Sequence, residues 1–456
     1  MPVATDGLAQ ALGPDALLSG DRIPSFYGSD ETETQGVHGQ PDVVALPSST
    51  DEVISVMRWC YEHGVPLVSR GGGTGFSGGA VPIDGGLVLS LERMNSVRAF
   101  DPGLWRIHVE AGMITSDLKR RCRENGLFFP PDPGAAETSQ IGGNVATNAG
   151  GPHAFKYGVT GNWVTGIEAV VPPGEPITVG GPIRKDVAGY DIKSLLIGSE
   201  GTLGVITAVW LRLLPTPEVF LPVVGFYDGV ESGCEAIGAV LESGLAAATL
   251  EYLDERTLEA AGGSFPGGIP DRAGFMVIAE ADGSEQEATR LRAELVEALE
   301  PGSLHLDDPA PGRATEELWR WRDGVSIAVT AQRGGKVSED IVVPMDRLAE
   351  AITETLAIGD RHDLDTASWG HAGDGNLHST FLISPGGDEV DRAGIAMVEL
   401  FELAARLGGS ISGEHGVGWV KRGQLGRQWS PRAVELHGAI KRCFDPENLL
   451  NPGKKT

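Results

Sequence analysis

The sequence predicts an α+β fold in more than one part, and three observations predict it. Residues 40–215 alternate short capped helices, short strands and glycine loops. The run LPTPE at 214–218 interrupts that rhythm with two prolines. Beyond it, strand patterns and longer helical patterns mix, as in an antiparallel sheet covered by helices. A chain of 456 residues is long enough for two or three domains. The division expected is a lead-in over 1–39, one domain over 40–216 and a second over 217–456.

Each element follows from local chemistry. SSTDE at 48–52 supplies a helix N-cap with acidic first-turn residues. Val53, Met57, Cys60 and Tyr61 then share one helical face, and Gly64 ends it. Val65–Val68 is a short strand running into RGGGTGFSGGA. The same grammar returns as a helix over 115–125, Gly126, apolar Leu127–Phe129 and then PPDPG. A third instance is Asp191–Leu196, the loop GSEGTLG and a strand over Val205–Leu214. In the second domain VVGFY (223–227), ATLEYLD, GFMVIAEA, TASWGH and NLHSTFLI read as strands. A helix to Ser243 follows the first of these. Further helical patterns cover about 284–299, 313–330, 346–358, 387–407 and 431–443.

Composition excludes several classes of function. Glycine is in excess, 65 of 456 residues, about twice the ordinary share. There is no Gly-X-Y period, and 41% hydrophobic residues argue against disorder. A formal net charge of −27 is a poor match to nucleic acid or anionic lipid. Cys60, Cys122, Cys234 and Cys443 are too scattered for an iron–sulfur or zinc-knuckle motif and suit a reducing compartment. The N-terminus lacks the basic and apolar regions of a signal peptide, and no run reaches 18 apolar residues. A cytoplasmic, non-spanning protein is expected.

Three segments carry chemistry. Gly73-Thr-Gly-Phe-Ser-Gly78 matches the dinucleotide fingerprint GxGxxG, with Glu92 near the acidic position. A Rossmann loop must open a helix, however, and AVPIDGG at 80–86 cannot form one. What survives is a nest of backbone N–H groups suited to phosphate oxygens. A second loop, PPDPG with TSQIGGNVATNAGG (138–151), sets Asn144, Thr147 and Asn148 among small residues, so a flat ligand can lie on backbone. In the third, SWGHAGDGNLH and SGEHGVG together offer His371, His378, Glu414 and His415. Two imidazoles and a carboxylate suit zinc or a similar divalent ion, leaving one histidine as a candidate base. A lone histidine is usually a satisfied surface or core residue; four such groups in two glycine-rich motifs are not lone.

Taken in order, PLVSRGGGTGFSGGA, PPDPG…IGGNVATNAGG, GYDIKSLLIGSEGTLGVIT, WGHAGDGNLH, SGEHGVG and DPENLLNPGK resemble the FAD-linked oxidases of the vanillyl-alcohol oxidase type. Within them the chain is similar to the branch of D-lactate, glycolate and D-2-hydroxyglutarate dehydrogenases, over about 40–456. The resemblance implies an FAD domain of two subdomains with the flavin between them. It also implies an α+β cap with an antiparallel sheet, and a C-terminal tail returning to the flavin. By motif, Arg70, Gly71, Gly72, Gly73, Thr74, Gly75, Ser77 and Gly78 would hold the pyrophosphate. Pro131, Asp132, Thr138, Gly142, Gly143, Asn144, Thr147 and Gly151, with Glu200, Gly201, Ile206 and Asn451, would line the rest of the cofactor.

The same resemblance implies metal ligands at His371, His378 and Glu414, for zinc or manganese, and a base at His415. Arg322 and Asn376 would meet the substrate carboxylate. Lys336 is a weaker match, because Ser338 fits the family position better when counted back from Pro344. The first glycine loop lacks the histidine of flavinylating members, so the FAD would be non-covalent. Glu414 stands where the ether-lipid synthase branch carries an extra histidine, which weighs against that chemistry. The implied activity is oxidation of a D-2-hydroxy acid to the 2-oxo acid. The alternatives are a flavin oxidase of another alcohol or sugar, and a flavoprotein subunit of an electron-transfer complex. Electrons would pass to an external acceptor, whether electron-transfer protein, quinone-linked or iron–sulfur partner, with peripheral association at a membrane and a homodimer both left open.

Overall fold

The computed structural model describes residues 6–384 and 386–456, so residues 1–5 of the expected lead-in lie outside the described residues. The chain divides into two compact units. The first comprises residues up to Gly150, Val159–Thr216 and Glu414–Thr456; the second comprises Gly151–Gly158 and Pro217–Gly413. The sequence pattern places one line at 216 and keeps 414–456 with the second domain. In the structure the chain enters the second unit twice, the first time for eight residues.

The first unit holds two principal sheets. One has four strands in the order Leu17–Ser19, Val43–Ala45, Leu87–Ser90, Leu67–Arg70. The first pair is antiparallel and the others are parallel. The helix Thr50–His63 connects Val43–Ala45 to Leu67–Arg70, its Ser49 side chain accepting the Glu52 N–H and Gly64 closing it in the left-handed region. Val53, Val56, Met57 and Cys60 are fully buried on its inner face, the face that its apolar spacing marks out. The second sheet is antiparallel, in the order Val97–Asp101, Arg106–Glu110, Val205–Arg212, Val164–Val171, Glu175–Gly180. The C-terminal tail returns to the first sheet. Leu67 donates its N–H to Leu449 and accepts one from Asn451, at 2.8 and 2.7 Å.

The second unit is built on a seven-stranded antiparallel sheet. Its order is His305–Asp307, Val219–Tyr227, Phe275–Gly283, Thr249–Asp254, Thr366–His371, Asn376–Ile383, Gly335–Val342. Helices Val230–Glu242, Glu285–Leu299, Leu348–Arg361 and Glu389–Arg406 pack around it. The helix Arg313–Ala331 buries Leu318, Trp321, Val325 and Val329 against Leu253, Met276, Ile278 and Trp369 of the sheet. A side-chain period of two puts Leu253, Glu251 and Trp369 on that same face.

Several elements carry no sequence expectation, among them two near the candidate site residues. Ile141–Thr147 is helical although IGGNVAT contains two glycines, a composition with poor helix propensity. Gly335–Val342 is a strand although Ser338, Glu339 and Asp340 interrupt its apolar pattern. All three of those side chains are buried.

Candidate active site

The loop after the Leu67–Arg70 strand, residues 71–86, contains no helix, so its GxGxxG is not a Rossmann turn. It packs backbone to backbone against the second glycine loop. A side chain at Gly72 would collide with the Thr138 carbonyl oxygen, and one at Gly71 would stand 3.4 Å from the Gly143 Cα. A methyl group added at Gly75 or Gly143, in contrast, would meet no atom closer than 3.8 Å. These two glycines therefore bare backbone to space that a ligand can occupy. Ser77 and Gly78 are buried, while Gly71–Phe76, including Thr74, keep some exposure. The Arg70 guanidinium turns back to the Ser29 carbonyl at 2.7 Å, and burial lowers its pKa against the pull of Asp30, Tyr27 and Glu92.

Around the second loop, Asn144 donates to Thr115 Oγ1 at 2.8 Å, and Thr147 donates to the Gly143 carbonyl at 3.1 Å. Pro131 is buried; Asp132 is half-buried and Thr138 exposed. Gly142 sits tight against Ala111, and Gly151 is the first residue of the segment that belongs to the second unit. The Gln140 Oε1 and Ser199 Oγ atoms are buried with no hydrogen-bond partner among the described residues. A buried orphan acceptor is costly unless something supplies its donor. Neither residue stands out in the sequence; in Gln140 the signal is an amide placed just before a glycine-rich helix start.

Glu200, Gly201 and Asn451 converge on the returning tail. Asn451 donates to the Glu200 carbonyl at 2.8 Å and to the Gly79 carbonyl at 3.0 Å. The Glu200 carboxylate accepts the N–H groups of Val417 and Gly418, at 2.9 and 2.6 Å, and the Lys455 ammonium at 2.7 Å. It thereby anchors the SGEHGVG loop from its far end. Ile206 is buried in its strand, paired with Ala169. Phe76 of the first glycine loop stacks on His415, with ring centroids 4.7 Å apart and planes 22° apart. Glu414 lies beside Gly150, where an added methyl would come 2.8 Å from its Oε2.

In the second unit the candidate side chains share one sheet face. The strands Thr366–His371 and Asn376–Ile383 form a hairpin closed by Ala372–Gly375, pairing His371 with Asn376 and Trp369 with His378. His371 and His378 are thus diagonal neighbours, with ring centroids 5.2 Å apart and planes at 85°. On the next strand Asp340, Ser338 and Lys336 lie opposite His378, Thr380 and Leu382. Ser338 bonds Thr380 at 2.7 Å. The Lys336 ammonium reaches the Ser326 hydroxyl and lies 5.7 Å from the Trp369 ring centre. Gly413 donates its N–H to Asp340 at 2.7 Å.

Glu251 carries no signal in the sequence. Its strand pairs it with His371, and its carboxylate meets His371 Nδ1 at 2.6 Å and Arg322 Nη2 at 2.5 Å. Burial pushes this carboxyl up, but His371 and Arg322 outweigh burial and hold it below the usual range. Arg322, from the covering helix, is itself buried, and its Nε has no hydrogen-bond partner among the described residues; neither has Asn376 Oδ1. The face therefore presents imidazoles and an unspent guanidinium N–H able to donate to an anion, beside an amide oxygen that can only accept, as from a ligand hydroxyl.

Over residues 216–455 the sequence matches the family described as FAD linked oxidases, C-terminal domain, and over 41–180 it matches the FAD binding domain family. The chain belongs to the FAD linked oxidases. Among curated relatives of this oxidase is the glycolate oxidase subunit GlcD of Bacillus subtilis, 35% identical over 98% of this chain and 95% of that protein. The D-lactate dehydrogenase of Anaerostipes hadrus is 33% identical over 97% and 95% of the two chains. The D-2-hydroxyglutarate dehydrogenase of Xanthomonas citri pv. viticola is 36% identical over 94% and 91%. Among solved structures, p-cresol methylhydroxylase with substrate bound superposes with a TM-score of 0.82 at 17% identity, covering 99% of this chain and 96% of that one. At that identity the likeness speaks for the fold alone: the vanillyl-alcohol oxidase type of FAD-binding fold with a mixed α+β remainder.

The oxidase's first unit fits FAD on its own geometry. The open faces of Gly75 and Gly143 and the orphaned Gln140 acceptor are what a cofactor bound along backbone requires. The oxidase is an FAD-linked oxidoreductase. Among its described residues no helix is long and apolar enough to cross a membrane.

Proposed function

We propose that this oxidase converts a D-2-hydroxy acid of the lactate, glycolate or 2-hydroxyglutarate class to its 2-oxo acid. The observation that carries the reading is the sheet face of the second unit, where a buried arginine with an unspent N–H stands beside paired imidazoles. A buried guanidinium suits a carboxylate ligand, which it can meet bidentately. The names of the three relatives support the same substrate class, since each refers to a 2-hydroxy acid.

In this reading His371, His378 and Glu414, each able to offer one ligand atom, hold a divalent ion, zinc or manganese. The donor set fits such an ion: two nitrogens and one oxygen leave positions for substrate. When bound, FAD accepts the substrate's Cα hydrogen, and the divalent ion lowers the pKa of the substrate hydroxyl. Arg322 and Asn376 fix the carboxylate, and Lys336 and Ser338 contribute from the neighbouring strand. His415 Nε2 or Nδ1 takes the hydroxyl proton, held flat by Phe76. Arg70–Gly78 and Asn451 hold the cofactor non-covalently, because the first glycine loop offers no histidine for attachment. Electrons then leave for an external acceptor; the Bacillus relative, named as a subunit, supports a multi-component arrangement.

The test is made on purified protein. It should be yellow, release its flavin on denaturation, and bleach anaerobically with D-lactate, glycolate or D-2-hydroxyglutarate. Chelator treatment should stop the bleaching and added zinc or manganese should restore it. Bleaching that survives complete metal removal would remove the ion from the reading, and flavin that stays with the denatured chain would remove the non-covalent attachment.

A further inference from the structure

We infer that Glu251 is a positioning residue that couples the metal-ligand imidazole of His371 to the substrate arginine Arg322; the inference rests on the function proposed above. One fully buried carboxylate serves both groups, Oε1 at 2.6 Å from His371 Nδ1 and Oε2 at 2.5 Å from Arg322 Nη2. The backbone enforces the arrangement, because Glu251 and His371 are register partners on adjacent strands and Arg322 descends from the helix covering that face. A carboxylate can only accept, so His371 carries its proton on Nδ1 and keeps the Nε2 lone pair for a metal. Carboxylates placed behind ligand imidazoles in this way fix the tautomer and raise ligand basicity. The second oxygen holds one nitrogen of Arg322 and leaves Nε, which has no partner among the described residues, to meet a substrate carboxylate. A charge deep in the unit is thereby given two partners, and the two halves of substrate recognition share one support.

Glutamine at this position has the same shape but cannot serve both donors. Its amide nitrogen faces either Arg322, donor against donor, or His371 Nδ1, which moves the imidazole proton onto Nε2 and removes the ligand lone pair. In Glu251→Gln the dissociation constant for Zn²⁺, measured on flavin-loaded, metal-free protein by competition with a chromophoric chelator, should rise about 10–100-fold. In the same metal-free protein the flavin absorbance change on adding pyruvate should need several-fold more pyruvate, since Arg322 has lost its anchor. Retention of wild-type zinc and pyruvate affinities by Glu251→Gln overturns the inference. If that variant does not accumulate folded with flavin, Glu251→Asp, which keeps the charge and retracts the oxygens, is read the same way: losses support the coupling and unchanged affinities overturn it. His371→Ala separates the two levels of claim. If it loses zinc and Glu251→Gln does not, only the coupling falls; if wild type itself binds no zinc, the metal reading falls and the coupling with it.

Discussion

His415 lies against the flat of Phe76, 4.7 Å between ring centres, and on the proposed function this contact would hold the imidazole before substrate arrives. A pre-aimed acceptor spares the reorganisation that a free rotor would need. His415→Ala should keep its flavin spectrum yet slow anaerobic reduction by D-lactate roughly 10²–10⁴-fold, the range typical for loss of a general base. Reduction at the wild-type rate in that variant would take the proton-acceptor role away from His415. The histidine itself is legible, since SGEHGVG sets it among glycines; its stacking partner is not, because nothing in GTGFSGG says which way the phenylalanine turns. Glu251 is invisible for a related reason. Its strand is buried on both faces, so no alternation marks an acid there, and only the partners brought by the fold give it meaning.

The glycine loops are held as elements by the C-terminal tail. Lys454 is buried and donates to the carbonyls of Gly79 and Val81 and to Asn451 Oδ1, at 2.9, 2.6 and 2.7 Å. Burial draws its pKa from 10.5 to about 7, against the opposing pull of Asp30, Glu200 and Asp84. Between those values the unfolded chain binds the proton more readily than the folded one, so this group's contribution to stability rises with pH across that window. The thermal midpoint of wild type relative to Lys454→Met should therefore climb as pH rises from the folded pKa towards the unfolded one; a difference that stays flat or falls would contradict it. Capped elements such as Thr50–His63 are legible because Ser49 and Gly64 are local signals. Ile141–Thr147 is not, because its helix is imposed by neighbours: Gly142 and Ile141 bond back to Ala111 and Met113. Gly335–Val342 escapes because the partners of its buried polar residues are distant in sequence, as Ser338 bonds Thr380 and Asp340 accepts from Ser412 and Gly413.

At the scale of the molecule, the order of six motifs makes the family and the α+β class readable. The interleaving of the two units is not readable. A segment of eight residues, Gly151–Gly158, belongs to the second unit, tied there by His153 to Glu280 and by Tyr157 and Lys156 to Asp282. Those partners lie more than a hundred positions away, beyond any local pattern. The glycine excess has acquired a place: residues 71–79, 134–151, 198–204, 370–375 and 408–418 hold 22 of the 65 glycines, and they are the segments that shape the loops described above. On the proposed function the −27 balance sets a problem for an anionic substrate, and Arg322, buried with an unspent N–H, would be the local answer. Oxidation of a D-2-hydroxy acid is tested most directly by anaerobic flavin absorbance during titration with paired D- and L-2-hydroxy acids. The expected result is bleaching by at least one of D-lactate, glycolate and D-2-hydroxyglutarate, and none by L-lactate or L-2-hydroxyglutarate. Flavin that dithionite reduces but no D-2-hydroxy acid does would contradict it.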